Sequence, residues 1–208
     1  GFVSADFRMH ATSILLVQTL ERMDRERFEL TLYSHGPDDR SPLRARMVEA
    51  VDHFVDCSTM STVEQAARIR EDGIALLVDM SGYTQSSRLS VFALRPAPVQ
   101  ALWLAYPSTT GSDFIDYLIG DPQLTPMAHA EDFSEQLAQL PLTYEPTDER
   151  REHPEPLSRD ECGLPEDAFV YACFNQSYKI TEEVFSRWCR ILHRVPGSVL
   201  WLLVPQPE

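Results

Sequence analysis

IALLVDM, residues 74–80, is a continuous apolar run with a β-branched residue inside it, the pattern of a strand buried on both faces. Such a strand needs helices above and below its sheet, and the flanking residues supply them. GFVS reads as a strand, and ATSILLVQTLERM as a helix whose mostly apolar face runs through Ile14, Leu15, Gln18, Leu20 and Met23. FELTLYSHG is a second strand closing in His35-Gly36. SPLRARMVEAV is a helix with Ser41 as its cap, and HFVDCS is a short strand. STVEQAARIREDG opens with capping-box spacing from Ser61 to Glu64 and closes at Gly73. Short apolar runs alternating with helical segments specify a parallel sheet covered by helices, an α/β fold.

After residue 80 the character changes. Pro96, Pro98 and Pro107 break any long helix, so a short helix around SSRLSVFAL leads through a stiff turn into QALWLAY, and YLIGD is another short strand. TYEPTDERREHPEPLSRDECGLP has four prolines, many charges and few apolar residues, the composition of a linker. The expected organisation is therefore a lobe over 1–142, a linker over 143–166 and the start of a second lobe over 167–208. There AFVYACFN, a helix over 182–195 and SVLWLLVP form a β-α-β unit. Both ends read as cut, because each falls beside an apolar strand, so a segment of a longer protein is expected.

A net charge of −14 over 208 residues disfavours nonspecific binding to nucleic acid or an anionic membrane. No stretch approaches 18 consecutive apolar residues and no signal peptide opens the chain, so a cytoplasmic location is expected. Cys57, Cys162, Cys173 and Cys189 are scattered without CxxC spacing, which fits reduced thiols.

Ligands of open α/β sheets bind outside the carboxyl ends of the strands, and unusual polar residues fall there. Ser4, Asp6 and His10 follow the first strand; Asp79, Ser81, Gly82 and Tyr83 follow IALLV; Asn175, Gln176 and Lys179 follow AFVYAC. Lys179 beside a helix start places an ammonium near the positive end of the helix dipole, which costs stability unless an anion arrives. It is half of an anion site, or else a solvent-facing lysine among polar caps. Asp6 is equally a turn residue or a base, and His10 a helix cap or an acid-base group; together they can form a carboxylate-imidazole pair beside a hydroxyl substrate. Cys189 and His193 lie four apart on one helix, but Cys189 fits its apolar stripe and no second ligand pair is near. The acidic run from Glu145 to Glu155 reads as solvated linker.

GFVSADFRMHATS, DMSGYTQSSRLSVFALRPAPVQALWLAYPSTTGSDFIDYLIGD, CGLPEDAFVYACFNQSYKI and VPGSVLWLL, in this order, resemble the catalytic region of protein O-linked N-acetylglucosamine transferases of glycosyltransferase family 41, bacterial and SPINDLY-like relatives included. The resemblance implies two Rossmann-like lobes in the GT-B arrangement. It implies inverting transfer of a sugar from a nucleotide donor, usually UDP-GlcNAc, to Ser or Thr hydroxyls of a protein or peptide, with no cofactor and no required metal. By the same resemblance Lys179 holds the donor diphosphate and Gln176 lies in the nucleotide pocket. His10 sits near donor phosphate and acceptor, and Asp6 matches an aspartate proposed as the base. Tyr83, Leu104 and Ala105 line the cleft, Tyr83 on the donor side and the other two at the acceptor-sugar pocket. The chain departs from the family pattern at Ala11, where proline is common, at Gln85, where some members carry lysine, and at Ala105, where glycine is frequent. A GDP-fucose donor, because SPINDLY-like relatives share these motifs, and a non-catalytic protein-binding lobe, which these departures motivate, are the alternatives.

Overall fold

The computed structural model describes residues 1–151 and 154–203. The chain packs as two compact units that divide at Arg151. In the first, seven strands form one all-parallel sheet: β1 (Phe2–Ser4), β2 (Thr31–Ser34), β3 (His53–Asp56), β4 (Leu76–Asp79), β5 (Val99–Leu102), β6 (Tyr117–Gly120) and β7 (Gln136–Gln139), in the order β3-β2-β1-β4-β5-β6-β7. The helices are α1 (Ala11–Arg22), α2 (Pro42–Glu49), α3 (Thr62–Glu71) and the short α4 (Leu89–Ala93).

Alternation along the strands sends side chains to two faces. Phe2, Leu32, Val78 and Met80 belong to one core with Leu16, Val17 and Leu20 of α1 and Met47 of α2. Val3, Tyr33, Val55, Leu77 and Leu102 join Ala66 and Ile69 of α3 and Val91 and Phe92 of α4 in the other. The two-faced burial expected for IALLVDM holds from Leu77 onward, whereas Leu76 at the strand entrance is exposed. The face of α1 is rotated from the expected one. Ser13, Leu16, Val17 and Leu20 are buried, and Ile14 and Leu15 only partly so.

Local signals set the helix starts. Ser41 Oγ accepts the Arg44 N–H at 3.1 Å, with Pro42 at the first helical position. Ser61 and Glu64 close a reciprocal capping box, and Gly73, at φ +68°, follows the end of α3. Strand β7 was not legible in the sequence. It is an edge strand, paired on one side to β6, and its QLAQ residues carry no strong apolar signal.

The acidic stretch expected to be solvated is, in its first part, a docked strap. Trp103 Nε1 donates to the Tyr144 carbonyl at 2.9 Å, and the Tyr144 N–H donates to Asp121. Asp148 is 8% exposed and meets Arg46 of α2, which also makes a two-pronged pair with Glu21 of α1. The Arg46 guanidinium holds the Asp148 carboxyl below the usual aspartate range. The correction has a physical reason: the charges of 144–151 have partners on α1 and α2 that sequence spacing cannot reveal.

The second unit contains the parallel pair β8 (Val170–Cys173) and β9 (Val199–Leu202) joined through α5 (Glu182–Arg194). Helix α5 is strongly amphipathic, yet none of its residues is fully buried. Trp188, Cys189 and Leu192 are half-buried and Phe185 is exposed. Among the described residues no helix is long and apolar enough to cross a membrane.

Candidate active site

The strand order places a topological switch point between β1 and β4, because the chain leaves β1 toward β2 and β3 and then returns to pair on its other side. Loops diverge at such a point and leave a crevice at the carboxyl ends of the strands. Three loops carry the first unit's candidates, and they follow the adjacent strands β1, β4 and β5.

The β1 loop holds Asp6 and His10. Asp6 is 8% exposed; its N–H donates to Ser4 Oγ and its carbonyl accepts the Ser13 hydroxyl at 2.6 Å. Its carboxylate takes one Arg8 N–H at 3.3 Å and lies 3.7 Å from His10 Nδ1. His10 is also the N-cap of α1, with Nδ1 accepting the Thr12 N–H at 3.3 Å. The two readings of His10 are therefore compatible: the cap fixes the ring beside Asp6. A neutral imidazole that accepts at Nδ1 carries its proton on Nε2, so it presents a donor outward.

Ala11, in place of the frequent proline, does not leave this loop unsupported. The Met9 N–H donates to Asp39 at 2.7 Å, and the buried guanidinium of Arg44 donates to the Phe7 carbonyl at 2.9 Å while stacking 4.8 Å over Phe54. A Cβ on Gly36 would fall 1.9 Å from the Ala5 carbonyl oxygen, so the end of β2 touches the loop backbone directly.

The β4 loop is fixed at four points. Asp79 accepts the N–H groups of Ser81 at 3.0 Å and Gly82 at 2.9 Å, and the Tyr83 hydroxyl donates to the Thr110 carbonyl at 2.8 Å. His35 Nε2 meets the Ser86 carbonyl at 2.9 Å, and Arg88 donates to the carbonyls of Cys57 and Met60. The Tyr83 ring stands edge-on to Tyr106, with centroids 5.5 Å apart. Gly82 is left-handed at φ +54°, and a Cβ there would strike Tyr106 at 2.5 Å, which explains this glycine twice over.

In the β5 loop, Leu104 is buried and adopts φ +85°, a conformation that costs a branched residue on the order of 1–3 kcal/mol. Its neighbour Trp103 is tied by N–H to Asp79 O and by Nε1 to Tyr144 O, which holds the turn that presents Leu104 and Ala105.

Asp79 is 1% exposed, and burial pushes its pKa up to about 6 against the lowering effect of its two N–H partners. Its native pKa lies above the ordinary 3.8. The native state therefore gains from the protonated form below about pH 4, and that gain is lost as pH rises through 6. Full ionisation then costs about 3 kcal/mol. Asp79→Asn removes the charge and gives up one hydrogen bond, so a net stabilisation of about 1–2 kcal/mol is expected at about pH 7.5, turning into a net destabilisation of about 1–2 kcal/mol below about pH 4, where only the lost hydrogen bond remains. Thermal melts across this range check it, and a variant less stable at about pH 7.5 would show that the loop needs the ionised carboxylate.

In the second unit, β8 ends at Cys173 and the chain turns through a 3-10 segment, Ser177–Lys179, before Thr181 caps α5 by accepting the Val184 N–H at 3.3 Å. Glu182 and Glu183 in the first turn already complement the helix dipole. Gln176 and Lys179 are exposed, and among the described residues no carboxylate pairs with Lys179. Lys179 is the chain's single lysine, against seventeen arginines.

The structure thus gathers Asp6 with His10, and Tyr83 with the Tyr106 end of the Leu104–Ala105 turn, on neighbouring loops of one unit, while Gln176 and Lys179 share one turn of the other. Asp79 stood out in the sequence among the polar residues at the strand ends, whereas Arg44 did not. A groove of about 590 Å³ lies instead at the amino ends of the strands, lined by Gly1, Phe28, Leu30, His53 and Leu76, and none of the candidates lines it.

The model of glycosyl transferase family 41 matches residues 1–155 and 146–206. The chain is 39% identical over 209 residues to the probable UDP-N-acetylglucosamine–peptide N-acetylglucosaminyltransferase SEC of Arabidopsis thaliana, covering 98% of this chain and 21% of the relative. It is 42% identical over 145 residues to the UDP-N-acetylglucosamine–peptide N-acetylglucosaminyltransferase of Caenorhabditis elegans, covering 69% of this chain and 13% of that one. A solved structure of a Thermobaculum terrenum O-GlcNAc transferase mutant, K341M, superimposes with a TM-score of 0.83 at 34% identity, covering 97% of this chain and 38% of that one. The chain spans about a fifth of the length of the curated relative SEC. The ordered loops after β1, β4, β5 and β8, the parallel sheet that presents the first three and these matches together establish that the chain belongs to glycosyl transferase family 41.

Proposed function

We propose that this chain is the catalytic segment of an inverting, metal-independent protein O-glycosyltransferase that moves GlcNAc from UDP-GlcNAc to Ser or Thr hydroxyls of protein or peptide acceptors. The observation that carries the reading is Lys179. In a chain of net charge −14 that otherwise uses arginine for every basic side chain except histidine, the one lysine stands exposed in the turn after β8 and pairs with no carboxylate among the described residues. A compact ammonium acts as a point charge for phosphate, a role the planar fork of arginine does not reproduce.

In this reading Lys179 neutralises charge that builds on the departing diphosphate, and Gln176 contacts the nucleotide. Asp6 and His10 flank the acceptor hydroxyl, with the His10 ring held by its cap bond to Thr12 and offering its Nε2 proton to an anionic oxygen. Tyr83 borders the donor sugar, and the turn at Leu104 and Ala105 shapes the sugar pocket. The domain reading is retained as a proposal: an acceptor-side lobe over 1–142, a linker over 143–166 and the start of the nucleotide-sugar lobe over 167–208.

Release of UDP from UDP-GlcNAc by the full-length protein, with and without a Ser/Thr peptide library, tests the reaction. Peptide-stimulated release is the expected result, and silence with every nucleotide sugar would leave a non-catalytic lobe as the better account. Gln85, standing where some family members carry lysine, favours one second reading, a GDP-fucose donor, which the same assay with GDP-fucose decides.

A further inference from the structure

The loop that follows β5 runs from Trp103 to Asp116 before β6 begins, and it contains no helix or strand of its own. What folds it is a carboxylate from elsewhere. Glu135, the residue before β7, is 4% exposed. Its Oε1 accepts the Thr110 N–H at 2.7 Å and also the Thr110 hydroxyl; its Oε2 accepts the Thr109 hydroxyl at 2.7 Å. Burial alone would raise its pKa, but these donors outweigh burial and hold it below the usual glutamate range. A carboxylate taken out of water needs such donors, and here three converge on one side chain.

Thr110 faces two ways. Its N–H and hydroxyl are held by Glu135, and its carbonyl receives the Tyr83 hydroxyl at 2.8 Å. Tyr83 has few other restraints, since it is 58% exposed and its ring touches Tyr106 edge-on. We propose that Glu135 is a positioning residue that acts through Thr110 on Tyr83, so that a buried carboxylate before the edge strand sets the orientation of the tyrosine on the β4 loop. The assignment of Tyr83 to the donor side rests on the function proposed above; the mechanical link from Glu135 to Tyr83 does not.

The test has two arms, both on the full-length protein. Hydrogen exchange, read without substrate, follows the amides of Ser81, Gly82 and Thr84, which are bonded to Asp79 and to the Ser81 carbonyl. Glu135→Gln and Glu135→Ala are expected to speed exchange over 81–84 by about tenfold or more, together with 109–112. Faster exchange confined to 109–112 would make Glu135 a local loop anchor and overturn the proposal. Tyr83→Phe deletes a single hydroxyl and serves where the Glu135 variants fail to fold. Unchanged exchange over both loops in that variant would equally overturn the proposal.

The kinetic arm reads KM for UDP-GlcNAc. Glu135→Gln and Tyr83→Phe are each expected to raise it by about fivefold to tenfold, and the double variant no further than either single one, because coupled residues are not additive. Multiplying effects would mean separate roles and overturn the link. If the wild type turns over no nucleotide sugar, the transferase reading has failed, and the exchange arm still decides the role of Glu135.

Discussion

Turnover by the full-length protein is expected to fall by about 10²–10³-fold or more when Lys179 is replaced by alanine, with thermal stability almost unchanged. The two halves of this result come from one observation. Lys179 is exposed and pairs with no carboxylate among the described residues, so its loss removes no ion pair there, and surface changes of that kind stay within about 0.5 kcal/mol. The whole effect must then appear in the chemical step or in donor binding. Lys179→Arg keeps the charge but spreads it over a planar fork, and a residual loss of about tenfold is expected. Steady-state kinetics beside a melt for each variant checks the split. A Lys179→Ala variant that keeps wild-type kcat and KM would remove the central support for the transferase reading and return this residue to the role of a solvated surface lysine.

Gly36→Ala is the second large effect. The Cβ would fall 1.9 Å from the Ala5 carbonyl oxygen and 2.7 Å from its carbon, and both are backbone atoms that no rotamer change can move aside. Either β2 retreats, at the expense of the His35 N–H bond to the Ser4 carbonyl, or the β1 loop is pushed outward with Asp6 on it. Overpacking of this kind costs about 1–3 kcal/mol or more. A shift of about 1 Å in the Asp6–His10 pair is enough to cost about 10²-fold in rate. The variant is therefore expected to lose both stability and turnover, the reverse of the split at Lys179. Wild-type activity in a folded Gly36→Ala protein would show that the β1 loop is not where the chemistry depends on geometry.

How far the sequence reveals this depends on how local each cause is. Capping at Ser41 and the Ser61–Glu64 box acts over three residues, and the structure has both. The strands from β1 to β6 announce themselves by apolar runs, and so do β8 and β9, because burial on a sheet leaves a pattern in the residues themselves. The polar residues at the strand ends stood out for the opposite reason, since an ordinary turn has no use for them. Glu135 lies in EDFSEQ, where nothing local separates it from a solvated glutamate, and its partner Thr110 is 25 residues away. The strap is hidden in the same way, with Asp148 meeting Arg46 across 102 residues. Nothing in SPLRARMVEAV separates Arg44 from a solvated arginine, although it is buried beneath the β1 loop. Position along a strand or helix is written locally, whereas the carboxylates and guanidinium that brace the loops act across distances no periodicity records.

The strand order also governs how this sheet can be built. β1 lies between β2 and β4, and β4 is complete only at Asp79. A growing chain that has already made β1, β2 and β3 therefore carries one unsatisfied edge on β1 until residues 57–75 and then β4 have been added. An apolar strand with an open edge is a template for pairing with other chains. Parallel pairing across long crossovers is also slow, because loop closure comes before any stabilising contact. The crevice proposed for the chemistry thus lies at the seam of the sheet that waits longest for its second strand during synthesis, and there a nascent chain most needs protection from its neighbours.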